Sequence, residues 1–200
     1  QTLRLLEGGI LAIDRAEDML AGMNWTQIQS RRAPLQAEFR RIEAAPSGIV
    51  AILAAIRPDG RVAVAGGPDQ APNADASGFE AMRTAREASR AVTFEAPPRE
   101  LAAQGAGLVV GRGRAPEGRP FDGALLAVLR AEAFFTAWGA EARRPGARFA
   151  LVRDDGTILL RQDAAPDMPA TLAPQDEVRR AMAADRPPAA PLAADPFGDG

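Results

Sequence analysis

GIVAILAAIRPDGRVAVAG, residues 48–66, is the stretch that decides how this chain folds. An apolar run rich in Ile, Val and Ala meets Arg57-Pro58-Asp59-Gly60 and resumes at Val62. Proline presets φ for the second position of a tight turn, and glycine suits the fourth. Two apolar runs joined in this way form a β-hairpin. Residues 152–160, VRDDGTILL, repeat the pattern of residues 56–64, IRPDGRVAV: an apolar residue, an arginine, a turn with Asp-Gly, and a second apolar run.

Upstream of the hairpin the period is helical. Leu3, Leu6, Ile10, Ile13 and Leu20 recur at three- and four-residue spacings, with Glu17 interrupting the seam. Such a stripe is either a coiled-coil seam or the face that a helix lays on its own domain. Packing on its own domain is the preferred reading. Asn24 is placed as an N-cap with Gln27 completing a capping box, and Trp25 and Ile28 face inward. Pro34 suits the first turn of a further helix, which Leu35, Phe39 and Ile42 line on one side up to Pro46.

Downstream, GGPDQAPNADASG (66–78) is turn-forming throughout, and FEAMRTAREASRA (79–91) is a short alanine-rich helix. VTFEA (92–96), GLVVGRGR (107–114) and GALLAVL (123–129) read as strands. RAEAFFTAWGAE (130–141) reads as a helix turning Phe134, Phe135 and Trp138 toward the core. Phe121, Leu126, Val128, Phe135 and Trp138 are the expected core residues. After the second hairpin (147–161) a short helix is expected at 174–184. Residues 185–200, dominated by Pro, Ala and Asp, bury little. Strands joined by tight turns make an antiparallel sheet of about five strands over residues 47–146. The fold class is α+β, with long N-terminal helices covering one face of the sheet.

Composition narrows the function. All 24 basic residues are arginine, and Lys, His, Cys and Tyr are absent. A net charge of −2 provides no global positive field for nucleic acid. Without cysteine there is no disulfide or thiol chemistry, which suits either side of a membrane. No apolar run approaches the roughly 20 residues of a membrane span, and no signal peptide is recognisable. The start at Gln1, without methionine, reads as a fragment or a processed product. Catalysis would have to rest on carboxylates, Ser or Thr. The one paired carboxylate of note, Asp154-Asp155, sits where a hairpin turn favours Asp. No metal-ligand spacing is present, and GRGR (111–114) lies in a strand, not ahead of a helix, so it is no phosphate loop. Neither an enzyme nor a cofactor or metal protein is expected.

The order of motifs resembles the Cache family, the PAS-like sensor domains on the extracytoplasmic side of bacterial membrane receptors. The resemblance covers residues 20–161. It is carried by the long helix, the D-G-R-V hairpin and the arginine-bearing short helix. It continues in Glu95-Ala96-Pro97, in Arg112-x-Arg114, in GRPFDGALLAVL (118–129), and in the paired aromatics Phe134-Phe135. It implies a helical stalk at 1–46, a membrane-distal PAS-like module at 47–146, and the start of a membrane-proximal module at 147–200. The repeated hairpin then opens each of two modules. The implied function is ligand sensing by the periplasmic part of an inner-membrane receptor. Its output could be a histidine kinase, a diguanylate cyclase or a chemoreceptor. The alternative is a ligand-free dimerisation or protein-interaction module. A homodimer through the N-terminal helix and a membrane-anchored parent protein are part of the same expectation.

The family pocket lies between the sheet and the loop-helix after the first hairpin, here about residues 75–94. Arg130 stands where amino-acid-binding relatives carry an amine-binding Asp, so amino-acid recognition is disfavoured. A guanidinium fork suits carboxylate or phosphate. Arg83, Arg86, Arg112, Arg114 and Arg130 are therefore the candidate ligand contacts, and a small anion the expected ligand. The competing reading of each is a solvated surface arginine.

Overall fold

The computed structural model describes residues 1–67, 74–87, 91–114, 121–140, 149–162, 170–173, 178–180 and 184. They belong to two compact units, Gln1–Trp138 and Gly139–Gly200. The first unit holds α1 (Thr2–Leu20), α2 (Trp25–Ser30), α3 (Arg32–Glu43), β1 (Val50–Ile56) and β2 (Val62–Ala65). These are followed by α4 (Glu80–Glu87), β3 (Val92–Glu95), α5 (Arg99–Ala103), β4 (Ala106–Gly113), β5 (Ala124–Arg130) and α6 (Ala131–Trp138). The five strands form one antiparallel sheet in the order β2-β1-β5-β4-β3, as the hairpin signals require.

The central strand β5 is apolar on both sides because both sides are covered. Ala124, Leu126 and Val128 belong to a core cluster on one face. By the alternation of a strand, Leu125, Ala127 and Leu129 point to the other, where α1 lies. α1 buries Gly9, Ala12, Ile13, Ala16 and Leu20. Its small residues let the backbone come close: a Cβ on Gly9 would stand 3.1 Å from the Leu129 methyls and 3.2 Å from Val110 Cγ2. Of the predicted stripe, Ile13 and Leu20 are buried in this face, Leu6 and Ile10 are half-buried, and Leu3 is exposed at 66%, as is Leu11 beside the stripe at 50%. The helices α1 to α3 belong to the first unit.

The predicted capping box is present. The Gln27 N–H donates to Asn24 Oδ1, and the Asn24 N–H donates to Gln27 Oε1, both at 2.9 Å. α3 buries Leu35 and Phe39 and is tied to the sheet at its end. There the Leu53 N–H donates to Glu43 Oε1 at 2.7 Å and Arg40 Nε to the Gly66 carbonyl at 2.8 Å. Burial pushes the Glu43 carboxyl above its usual range, against the Leu53 N–H and the neighbouring Arg40 and Arg130. In α6 the aromatic expectation needs correction. Phe134 is the fully buried ring, while Phe121, Phe135 and Trp138 are half-buried. Phe135 and Trp138 instead tilt against each other with centroids 5.6 Å apart, and Trp138 Nε1 donates to Thr2 Oγ1 of α1 at 3.2 Å. Leu126 and Val128 are buried as expected.

The second unit contains β6 (Ala150–Val152) antiparallel to β7 (Ile158–Arg161). Its turn reproduces the first hairpin bond for bond. Arg57 N–H to Arg61 O is matched by Arg153 N–H to Thr157 O, and Gly60 N–H to Arg57 O by Gly156 N–H to Arg153 O. Asp59 accepts from the Arg61 N–H as Asp155 accepts from the Thr157 N–H. Arg57 pairs with Asp59 as Arg153 pairs with Asp155. A following segment then bridges each hairpin in the same register: Arg61 with Asp75, Thr157 with Thr171. The expected helix at 174–184 lies mostly outside the described residues, and residues 178–180 are helical.

Candidate functional site

The sheet face opposite α1 is not fully filled. A cavity of about 220 Å³ opens over Ile52, Ala54 and Ile56 of β1, Val62 of β2, and Leu126 and Val128 of β5. Alanine at position 54 leaves room that a larger residue would take. The segment Ala74–Phe79 and α5 wall the cavity, the latter through Glu100 and Leu101. A neighbouring cavity of about 280 Å³ shares Asp75, Ala76, Phe79 and Pro98 with the first and adds Glu95.

Each wall is fixed by identifiable bonds. The Val62 N–H donates to Ala74 O at 3.0 Å, and the Ala76 N–H to Gly60 O at 2.7 Å. This segment is thus laid alongside β2. Asp75 closes the next turn by accepting from the Ser77 N–H at 2.9 Å, and that bond holds its pKa below the ordinary range. α4 is held at its N-terminus from β3: the Glu80 N–H reaches both carboxylate oxygens of Glu95 at 2.9 Å. Burial pushes Glu95 upward, opposed by these backbone N–H groups. α4 then presses on β4 at Gly111, where a Cβ would fall 2.3 Å from Ala81 Cβ. Only glycine permits this approach.

The five candidate arginines do not converge. Arg112 and Arg114 alternate with Gly111 and Gly113 along β4 and point to the α1 face, away from the cavity. Arg112 pairs with Asp14 and, at 2.9 Å, with Glu17, the residue that interrupts the seam of α1. Arg114, 4% exposed, pairs with Asp122. It also donates to the backbone carbonyls of Leu20 (3.2 Å) and Met23, and lies 5.1 Å from the Trp25 ring centroid. Trp25 Nε1 donates to the same Asp122 at 2.8 Å. Arg130 Nε donates to Gly48 O at 3.1 Å, Arg83 to Gly78 O at 2.9 Å, and Arg86 lies 5.7 Å from the centroid of Phe121. Among the described residues neither cavity is lined by a cation.

The charged residues that do line the cavities are Asp75, Glu95 and Glu100, none of which the sequence reading singles out as a ligand contact. Glu95-Ala96-Pro97 marks the end of a strand. The position of Asp75 depends on the bridge to Arg61, which no local pattern announces. Among the described residues no group of three or more acidic side chains is placed to hold a metal, and no helix is long and apolar enough to cross a membrane. The chemistry on offer is enclosure of an apolar body beneath carboxylate-bearing walls.

No protein-family model matches the sequence, and no curated protein matches it significantly. Solved structures do match. One is the extracellular domain of the candidate histidine kinase rpHK1S-Z16 (TM-score 0.61, 18% identity, 88% of this chain and 73% of that one). Another is an extracellular ligand-binding receptor from Desulfohalobium retbaense (TM-score 0.55, 13% identity, 78% of this chain and 28% of that one). A third is the ligand-binding domain of the Pseudomonas aeruginosa amino-acid chemoreceptor PctC in complex with GABA (TM-score 0.52, 20% identity, 82% and 68%). The chain has the mixed α+β fold of these Cache-type extracellular sensor domains.

Proposed function

We propose that this chain is the extracytoplasmic ligand-sensing region of a bacterial transmembrane signalling receptor, and that the cavity over β1 and β5 is its ligand site. The observation that carries the reading is the cavity itself, built on the sheet face that α1 leaves uncovered. The likeness to extracellular domains of receptors supports it. Residues 147–200 are assigned to the start of a second module, on the strength of the reproduced hairpin and its bridge. Signalling follows if the occupied cavity favours one placement of α4 and β4 over another, because a ligand shifts an equilibrium only by its differential affinity. β4 carries α4 at Gly111 on one face and α1 through Arg112 and Arg114 on the other.

One observation favours the second reading, dimerisation through the N-terminal helix: Leu3 and Leu11 are exposed on α1. Thermal-shift screening of the chain and of Ala54→Phe against small metabolites separates the two. A ligand at about 100 times its Kd adds roughly 2.7 kcal/mol of stability, and filling the cavity removes that gain. If no compound shifts the wild-type melting temperature, or if every shift persists in Ala54→Phe, the cavity is not the site.

A further inference from the structure

The cavity also carries information about what it admits, and this step rests on the reading of it as the ligand site. Its floor is wholly aliphatic: Ile52, Ala54, Ile56, Val62, Leu126 and Val128. A dry apolar cavity of about 150 Å³ holds benzene, so about 220 Å³ holds a single ring or a short alkyl chain with one small polar group. The charges in the walls are of one sign. Asp75 and Glu100 line this cavity, and Asp75 and Glu95 the adjoining one. The Ser77 N–H favours the ionised form of Asp75. No arginine among the described residues lines the cavity: Arg112 and Arg114 are committed to α1 on the far side of the sheet, and Arg61, bridged to Asp75, offsets part of that one carboxylate's charge from outside the lining. An anion entering an aliphatic cavity loses its water, meets no donor charge there, and approaches two carboxylates.

We propose that the site selects a compact, predominantly apolar molecule whose polar group is neutral or cationic, and that Asp75 and Glu100 turn away its carboxylate analogue. This reverses the expectation of an anionic ligand that followed from the arginine content. It also separates the chain from a site for zwitterions, whose carboxylate would need a cationic partner.

Benzylamine, benzyl alcohol and benzoate share one ring and differ in the charge of the substituent. Their affinities are measured by calorimetric titration at pH 7 and fixed ionic strength, with wild type, Ala54→Phe and the double variant Asp75→Asn/Glu100→Gln. Benzylamine and benzyl alcohol bind wild type, and benzoate binds at least about tenfold more weakly than benzylamine. The double variant brings benzylamine and benzoate within about twofold. The amide introduced by Asp75→Asn keeps an oxygen acceptor for the Ser77 N–H, and both positions are exposed, so the variant folds; an unchanged melting temperature checks this. Benzoate binding wild type as tightly as benzylamine, with loss of both in Ala54→Phe, overturns the selectivity and leaves the site standing. An undiminished gap in the double variant removes Asp75 and Glu100 from the account. Failure of all three to bind wild type, or equal binding to Ala54→Phe, overturns the site and this proposal together.

Discussion

Replacing Arg114 by methionine removes the one guanidinium that is buried among the described residues of the first unit, keeping the stem and deleting the charge. Arg114 is 4% exposed, and its head holds three things at once: the Asp122 carboxylate, the carbonyls of Leu20 and Met23 that end α1, and the face of Trp25. Breaking a buried ion pair by removing one partner costs about 3–5 kcal/mol, because the other charge is stranded. Asp122 retains the Trp25 Nε1 donor at 2.8 Å, and its side chain is 24% exposed, so water relieves part of the loss. The lower end, about 3 kcal/mol, is the expected cost. For a protein of this size that lowers the melting temperature by roughly 6–12 °C. Urea unfolding followed by tryptophan fluorescence and far-ultraviolet dichroism measures it. Adding Asp122→Leu recovers part of the loss, since the stranded charge then disappears. A change within about 0.5 kcal/mol for Arg114→Met would refute the view that this residue fastens α1 to the sheet.

Three further outcomes follow from the geometry. Gly111→Ala places a methyl 2.3 Å from Ala81 Cβ and 2.8 Å from Leu126 Cδ2; it destabilises by about 1–3 kcal/mol by forcing α4 off β4, read as faster amide exchange in residues 80–87. Phe134→Ala costs about 3–5 kcal/mol, and Phe135→Ala clearly less, because only the first ring is fully buried; equal costs by denaturant titration contradict the packing of α6. Glu95 has its pKa raised by burial, so the fold prefers its protonated form. Its share of stability is whole below the unfolded pKa of about 4.3 and is lost as pH rises through the raised folded value. The stability of wild type relative to Glu95→Gln therefore falls as pH is raised from about 4, and a rise with pH in thermal melts would reverse the assignment.

What can be read from the sequence is whatever a short window encodes. Pro58-Asp59-Gly60 and Asp155-Gly156 specify their turns locally, and both hairpins form with the same bonds. Asn24 and Gln27 specify a cap by their own side chains. The apolar run 124–129 announces a strand covered on both sides. α5 escapes such a reading because RELAA is too short for a periodic signal and follows two prolines. The placement of the arginines is hidden for a different reason. Their side of β4 is set by strand parity, and parity assigns Arg112 and Arg114 to the face of Val110 only once α1 is known to lie there. Phe134 and Phe135 pose the same question in a helix: adjacent residues point about 100° apart, and the packing partner decides which ring is buried. The cavity is the least legible feature of all, since it is what remains after β1, β5, α5 and the 74–79 segment have been placed.

Methyl-resolved NMR of the chain, labelled at Ile, Leu and Val, tests the account at its centre. Benzyl alcohol titrated into the protein is expected to shift the methyls of Ile52, Ile56, Val62, Leu126 and Val128, which floor the cavity. The methyls of Ile13 and Leu129, packed between α1 and the opposite face, should respond far less, and Ala54→Phe should abolish the response. Shifts confined to Ile13 and Leu129, or a titration that leaves the floor methyls unmoved, would contradict a ligand site on this face of the sheet.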